Sequence, residues 1–290
     1  MDFTKLEGAG NDFVLVETSN THRDWSRLAI ATCNRHFGIG ADGLLLLMPS
    51  EAADFRMCMF NPDGSEAEAC GNGLRCLVKY VINKGLSGGR GAQEFFFIET
   101  KGGVRKAIVN RPAERPSNIQ ISMGTPRFKA AEVPIAIEES GQGIVDIKSM
   151  LSYTIAVGDW KLPLNFVSMG NPHAVYFTKQ PVVNFPLAQI GPEVEQHEIF
   201  PRRVNFEVAR PTSRQQIDAR VWERGAGETL ACGTGACAIA VAARLHGFID
   251  STVAIRLPGG ILNVEWDGTG EVLLGGPTEI VFTGQWPGEA

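Results

Sequence analysis

The sequence predicts two tandem copies of a mixed α/β unit. An internal repeat is the first reason: Ala69-Cys70-Gly71-Asn72-Gly73 returns as Ala231-Cys232-Gly233-Thr234-Gly235, and Gly10-Asn11 returns as Gly170-Asn171. The two matches have nearly the same spacing, which indicates a duplicated unit of about half the 290-residue chain. Strand and helix patterns within each half are the second reason.

Strands are predicted by runs of apolar, β-branched or aromatic residues, at 13–16, 44–48, 95–98, 204–208 and 272–274. A helix is predicted directly after Cys70, because Leu74, Leu77, Val78, Val81 and Ile82 share one apolar face and Gly85 is a natural stop. Residues 236–245 are apolar on nearly all sides. They predict a second helix, buried inside its domain and ended by Gly247.

Composition excludes several classes of protein. The net charge of −5 and the absence of a basic patch argue against a nucleic-acid partner. No apolar run approaches the roughly 20 residues of a membrane span, and the first residues do not resemble a secretory signal. A cytoplasmic location is therefore expected, where the six cysteines would be reduced.

Cys70 and Cys232 stand where a strand-rich region turns into a helix. The first turn of a helix presents free N–H groups, and the following glycines allow a carboxylate to approach them closely. The same field is expected to lower the pKa of each thiol. Two such thiols, facing each other across a cleft, suit inversion of a carbon next to a carboxylate, in which one removes a proton and the other returns one.

Other interpretations of the cysteines remain open. Cys33, Cys58, Cys76 and Cys237 are predicted to be small core residues. A thiol redox or zinc-binding protein is the alternative from another class. The cysteine spacing does not match most structural zinc sites, so no metal is expected.

The ordered motifs are similar to those of the diaminopimelate epimerase family. They extend over nearly the whole chain and comprise Gly8-Ala9-Gly10-Asn11-Asp12-Phe13, Gly38-Ile39-Gly40-Ala41-Asp42, Asn61-Pro62-Asp63-Gly64-Ser65-Glu66-Ala67-Glu68, the two cysteine segments, Gly170-Asn171-Pro172-His173, Val204-Asn205 and Glu223-Arg224-Gly225-Ala226-Gly227-Glu228-Thr229.

This resemblance implies a cofactor-independent isomerase that interconverts LL- and meso-2,6-diaminopimelate for lysine and peptidoglycan precursors. It implies an α/β (α+β) fold of two pseudo-symmetric domains, each a curled mixed sheet around a central helix. The expected domains are 1–127 and 128–276, with 277–290 as a final strand that returns to the first domain. Family members are often homodimers, which makes a homodimer possible here.

The resemblance also implies the roles of individual residues. Cys70 and Cys232 match the catalytic pair, and His173 and Glu223 match neighbours that tune the two thiols. The substrate-binding residues that it implies are Asn11, Asn61, Gly71, Asn72, Asn171, Asn205, Glu223, Arg224, Gly233 and Thr234.

Two features depart from the family pattern. Gly43 stands where many members have a glutamine that contacts substrate, and residues 134–160 form an apparent insertion. A racemase or epimerase of another amino acid, such as proline, hydroxyproline or a basic amino acid, remains the alternative within the superfamily. Arg224 and the several asparagines favour a substrate with a second amino-acid head.

Overall fold

The computed structural model describes residues 1–67, 70–86, 93–110, 119–137 and 143–287. Unit 1 contains Met1–Ser122 and Gly275–Ala290, and unit 2 contains Met123–Leu274. Motif positions 68 and 69, and residues 138–142 of the apparent insertion, lie outside the described residues.

In its described residues, unit 1 contains two α-helices and a mixed sheet. The elements are β1 (Asp2–Gly8), β2 (Asn11–Glu17), α1 (Trp25–Cys33), β3 (Gly43–Met48), β4 (Phe55–Phe60), β5 (Glu66–Ala67), α2 (Gly71–Asn83), β6 (Gln93–Thr100), β7 (Gly103–Asn110), β8 (Ile119–Ser122) and β19 (Glu279–Gln285). The strand order is β19-β1-β2-β3-β4-β6-β7-β8, with β5 beside β4. The β2–β3 and β4–β6 pairs are parallel.

Unit 2 repeats this architecture. Its elements are β9 (Ile144–Ile147), β10 (Met150–Val157), β11 (Trp160–Ser168), β12 (Pro172–Phe177), a 3₁₀ turn (Val182–Asn184), α3 (Leu187–Glu195), β13 (Asn205–Ser213), β14 (Gln216–Glu223), β15 (Gly227–Thr229), α4 (Gly233–His246), β16 (Thr252–Leu257), β17 (Gly260–Glu265) and β18 (Leu273–Gly275). The order is β9-β10-β11-β12-β13-β14-β16-β17, with β15 beside β14.

The two units share one topology from the first parallel pair onward. In unit 2 the parallel pairs are β12–β13 and β14–β16, and each parallel pair in either unit has a helix in the connection between its strands. A parallel pair requires such a long crossover. The duplication predicted from the cysteine segments is therefore visible in the strand order, and the predicted fold class is confirmed.

Helices α2 and α4 are the central helices of their sheets. α2 packs against seven strands of unit 1, and α4 packs against five strands of unit 2. The predicted apolar face of α2 is buried at Leu74, Leu77, Val78 and Val81. Its last residue, Ile82, is half-buried. All of α4 from Gly235 to Ala243 is buried, which explains why its sequence is apolar on nearly every side.

Helices α1 and α3 were not predicted. Asp24 caps α1 by accepting a hydrogen bond from the backbone N–H of Arg27. α1 packs against β3 and β4, and α3 packs against β10, β13, β14 and β15. Within the described residues, no helix has the length and apolar character needed to cross a membrane.

Candidate active site

Cys70 is the residue that caps the N-terminus of α2. Its backbone is extended (φ −138°, ψ 117°), and its Sγ accepts a hydrogen bond of 3.4 Å from the backbone N–H of Gly73. The sulfur thus takes the place that a serine or aspartate oxygen usually has at a helix start. It lies at the positive end of the helix dipole, where a thiolate is favoured.

Cys232 caps α4 in the same way. Its backbone angles are −125° and 116°, and its Sγ accepts a 3.4 Å hydrogen bond from the N–H of Gly235. The prediction that both cysteines stand at helix starts is confirmed. Cys232 is buried with 6% exposure, whereas Cys70 is half-buried.

The third residue of each central helix is a glycine, Gly73 in α2 and Gly235 in α4. Each lets neighbouring side chains lie close to the first turn of the helix. A Cβ at Gly235 would lie 3.0 Å from Glu207 Oε1 and 3.4 Å from the sulfur of Cys232. A Cβ at Gly73 would lie 3.1 Å from the side chain of Leu45. Glycine therefore lets the neighbouring groups pack directly against the first turn.

Asn11 and Asn72 join Cys70 in one hydrogen-bonded cluster. Asn11 Oδ1 lies 3.9 Å from Cys70 Sγ and accepts a 3.4 Å hydrogen bond from Asn72 Nδ2. Asn72 is buried and its Oδ1 accepts from the guanidinium of the buried Arg75 at 2.8 Å. Asp42 Oδ2 accepts from Asn11 Nδ2 at 2.7 Å, which orients the amide oxygen of Asn11 toward the cluster.

A charged network supports this cluster. Arg35 bridges Asp12 and Asp42 at 2.7 and 2.6 Å, and Lys5 contacts both Asp12, at 2.6 Å, and the carbonyl of Gly40. Burial alone would raise the pKa of Asp12. The hydrogen bonds from Arg35 and Lys5 outweigh that effect and hold this pKa well below its usual range.

The remaining predicted residues of unit 1 occupy a turn and a helix start. Asn61 lies in the turn after β4 and donates from Nδ2 to Ser65 Oγ at 2.9 Å. Gly71 is the buried first residue of α2. Gly43 is buried at the start of β3, where a Cβ would lie 3.1 Å from both Met59 Cε and the carbonyl of Phe60. The backbone packing at this position favours glycine.

In unit 2, a chain of side chains leads away from Cys232. Its Sγ lies 3.5 Å from Thr234 Oγ1, which accepts a 3.3 Å hydrogen bond from Asn171 Nδ2. Asn171 Oδ1 lies 2.9 Å from Nε2 of His173, and Nδ1 of His173 lies 2.6 Å from Glu207 Oε1. The structure thus brings three predicted residues together with the second cysteine.

Asn205 and Glu223 help to shape the turn that follows β14. Asn205 donates to the carbonyl of Pro172 and accepts from the backbone N–H of Arg224, both at 2.9 Å. Glu223 accepts a 2.5 Å hydrogen bond from Thr229. The guanidinium of Arg224 donates to the carbonyl of Arg202 at 3.1 Å, and Arg224 is exposed. Gly233 is the half-buried first residue of α4.

The expected lowering of the thiol pKa is wrong for Cys232. Burial raises the pKa of this thiol well above its usual value, and the charge of Glu223 raises it further, while the hydrogen bond to Thr234 acts in the opposite direction. Desolvation of the thiolate therefore exceeds the stabilisation by the helix start.

Glu207 is the residue that the sequence analysis missed. Neither Glu207 nor its partner His173 has exposed surface. The available signal was an ionisable residue inside the apolar strand pattern 204–208. Such a residue needs a buried partner, because an isolated charge in a core is strongly disfavoured.

The other four cysteines match the predicted core role to different degrees. Cys33, Cys76 and Cys237 are buried, while Cys58 is half-buried with its Sγ 3.8 Å from Met48 Sδ. Burial raises the pKa of Cys33 to about 11. All six cysteines are free thiols, and the part of the chain that the structure describes holds no group of three or more potential metal ligands.

The fold is shared with amino-acid racemases and epimerases of known structure. A hydroxyproline epimerase from Agrobacterium vitis superposes with a TM-score of 0.67 at 15% identity, covering 98% of this chain and 91% of that one. A probable proline racemase from Agrobacterium radiobacter gives 0.69 at 14% identity, covering 98% and 92%. The likeness to these racemases and epimerases shows the fold of the chain.

The particular family follows from sequence. A family model described as diaminopimelate epimerase matches residues 3–129 and 165–281, and the chain belongs to this family. The diaminopimelate epimerase of Halothermothrix orenii is 43% identical over 289 residues, which cover 98% of this chain and 97% of the relative. That of Methanococcus maripaludis is 39% identical over 287 residues, covering 98% and 99%. The predicted family and isomerase class are confirmed.

Proposed function

We propose that the chain interconverts LL- and meso-2,6-diaminopimelate by a two-base reaction of Cys70 and Cys232. The observation that carries this proposal is that each thiol caps the central helix of one of two units with the same topology. Inversion by a two-base route requires a proton acceptor on one face of the carbon and a proton donor on the other. The duplicated cysteine cap supplies such a pair without a metal or an organic cofactor.

The proton moves in opposite senses in the two directions. In the LL to meso direction, the thiolate of Cys232 removes the α-proton and the thiol of Cys70 delivers a proton to the other face of the carbon. In the meso to LL direction the roles are exchanged.

Stabilisation of the carbanion is the demanding step, since an α-proton next to an ammonium group is very weakly acidic. We assign this task to the backbone N–H groups at Gly71 and Asn72 and at Gly233 and Thr234. They stand at the starts of α2 and α4, where helix N–H groups lack intrahelical partners. Such preorganised donors stabilise the charge that develops on the reacting carboxylate.

Recognition of the distal amino-acid head falls to polar residues away from the thiols. Arg224 offers a planar guanidinium that suits a carboxylate, and Asn61 and Asn205 offer amide donors and acceptors. Asn11 and Asn171 belong to the clusters at Cys70 and Cys232, so we assign them to the reacting end. His173 and Glu223 would tune the thiols.

Proton exchange tests the proposed reaction. LL-diaminopimelate is incubated with the enzyme and a reductant in heavy water, and NMR follows loss of the α-proton while chiral chromatography follows the meso isomer. We expect both signals to change together. Absence of exchange would contradict the proposal, and exchange only with proline, hydroxyproline or a basic amino acid would favour another racemase.

Single substitutions test the two thiols. Cys70→Ser and Cys232→Ser should each reduce kcat by several orders of magnitude while the circular dichroism spectrum is retained. Cys58→Ser is the matched control, because this half-buried thiol lies on β4 and caps no helix. Wild-type activity in either catalytic variant would remove that cysteine from the mechanism.

The cellular setting completes the proposal. The product class places the enzyme in lysine and peptidoglycan precursor synthesis, and we propose a cytoplasmic location and a homodimer. Light scattering coupled to gel filtration measures the oligomeric state. A mass near 31.4 kDa across the working concentration range would refute the dimer.

A further inference from the structure

Glu207 on β13 is a buried carboxylate to which the family resemblance assigns no role. Its Oε1 lies 2.6 Å from Nδ1 of His173, and neither side chain has exposed surface. Its Oε2 has no hydrogen-bond partner among the described residues. It lies beneath the first turn of α4, since its Oε1 would be 3.0 Å from a Cβ at Gly235. A buried carboxylate held in this way needs a reason beyond packing.

The proton positions around His173 follow from its partners. Asn171 donates from Nδ2 to Thr234, so its Oδ1 faces Nε2 of His173 at 2.9 Å and Nε2 must carry a proton. Nδ1 faces a carboxylate oxygen at 2.6 Å, so a second proton lies between Nδ1 and Glu207. The histidine and glutamate together therefore hold two protons and carry no net charge.

Thr234 continues this series of hydrogen bonds to the sulfur of Cys232. The hydroxyl of Thr234 accepts from Asn171, which leaves its own proton free for Cys232 Sγ at 3.5 Å. When Cys232 is a thiolate, it can only accept. Three hydrogen bonds then point toward the sulfur. They run from Nε2 of His173 to Asn171, from Asn171 to Thr234 and from Thr234 to Cys232.

We propose that Glu207 is a positioning residue for Cys232: it retains the second proton on the His173 ring, so that three successive hydrogen bonds are directed at the thiolate. The role deepens the proposed function, on which it rests, because it concerns the thiolate that removes the α-proton. Glu207 itself touches neither substrate nor the reacting atoms.

The ionisable groups around Glu207 support this role. They are His173 on β12, Glu223 on β14 and Cys232 at the start of α4. Burial raises the pKa of Glu207, and the charge and hydrogen bond of His173 oppose the rise. The charge of Glu207 by itself raises the pKa of Cys232. In the proposed arrangement the proton shared with His173 offsets that charge, and the effect of the pair on Cys232 passes through the oriented hydrogen bonds. A bare carboxylate would instead destabilise the thiolate.

The first experiment observes the ring directly. NMR of the full chain labelled with ¹⁵N-histidine is recorded from pH 6 to 9. We expect Nε2 of His173 to be protonated throughout, together with a downfield proton shared by Nδ1 and Glu207. Glu207→Gln and Glu207→Leu should lose the shared proton, while Glu207→Asp should keep it. An unprotonated Nε2 in the native chain would overturn the proposal.

The second experiment measures the thiolate. The pH dependence of Cys232 alkylation by iodoacetamide is followed by peptide mass spectrometry. Glu207→Gln and Glu207→Leu should raise the midpoint by about one pH unit and lower kcat by about tenfold to a hundredfold, with little change in KM. Glu207→Asp should recover most of the loss. Asp218→Asn is the control, since this carboxylate of β14 pairs with Arg256 at 3.5 Å.

The outcomes separate this proposal from simpler roles. A midpoint that falls in Glu207→Gln would show that Glu207 acts only as a negative charge. An unchanged midpoint with reduced thermal stability would show a role in packing alone. Either result overturns the proposal. Neither the NMR nor the alkylation experiment needs substrate. If both give the expected results but the enzyme does not turn over diaminopimelate, only the proposed function is overturned.

Discussion

Replacing Glu195 with alanine should loosen the turn that carries Arg224. Glu195 is the last residue of α3 and is 5% exposed. Its two oxygens accept hydrogen bonds from Trp222 Nε1 at 2.8 Å and from the backbone N–H of Gly225 at 3.0 Å. One buried carboxylate thus connects the helix to both sides of the turn after β14.

The expected loss of stability follows from these two hydrogen bonds. A hydrogen bond to a charged group contributes about 1.5 kcal/mol or more, so the pair contributes about 3 kcal/mol. Arg203, the third partner at 3.4 Å, is exposed and adds little. Gly225 is exposed, and water can replace part of its bond. We therefore expect Glu195→Ala to lower the free energy of unfolding by about 2–3 kcal/mol.

Urea unfolding and steady-state kinetics measure the two consequences. The displaced turn should raise KM for diaminopimelate on the order of tenfold, with a smaller effect on kcat, because Arg224 is assigned to the distal head. Glu193→Ala is the matched control, as Glu193 is exposed on the same helix. If both variants unfold at the same urea concentration and bind substrate equally, the reasoning about this turn is refuted.

Three further outcomes follow from the site. Thr234→Val should raise the midpoint pH of Cys232 alkylation by about one unit, whereas Thr234→Ser should not, because only the hydroxyl can donate to the thiolate. Gly43→Gln should lower the free energy of unfolding by about 1–3 kcal/mol, since its Cβ would lie 3.1 Å from the backbone carbonyl of Phe60, which cannot move aside as a flexible side chain can; chemical denaturation with no loss would contradict this. Asp12→Asn should lower the free energy of unfolding at pH 6. This loss should shrink below about pH 4, because a carboxyl with a lowered pKa stabilises the fold only while it is ionised. A loss that is independent of pH down to 2 would contradict the ion network.

The sequence predicted most of the elements that position the site. The strands at 13–16, 44–48 and 95–98 and both central helices are present, and Gly85 and Gly247 follow the helix ends with positive φ. Helix α1 was missed although Trp25, Leu28, Ala29 and Thr32 share its buried face. A nine-residue helix offers only two turns of periodicity. α3 is equally short and contains Pro192.

The candidate site was predictable where chemistry depends on local backbone. A cysteine followed by glycines marks a helix start, and the helix N–H groups that define a carboxylate site come with it. Contacts between distant segments were not predictable. The pairing of His173 with Glu207 joins two neighbouring strands whose register depends on the whole sheet. The orientation of Asn11 by Asp42 likewise depends on a contact across 31 residues.

The duplication, the two cysteine-capped helices and the family are predictable from sequence, because repeated motifs and local capping are properties of adjacent residues. The direction of the pKa shift at Cys232 depends instead on the folded structure. A helix start alone lowers the pKa of a thiol, but burial of this thiol and the charge of Glu223 reverse the direction. Solvent exclusion arises from segments far apart in the chain, and no local pattern records it.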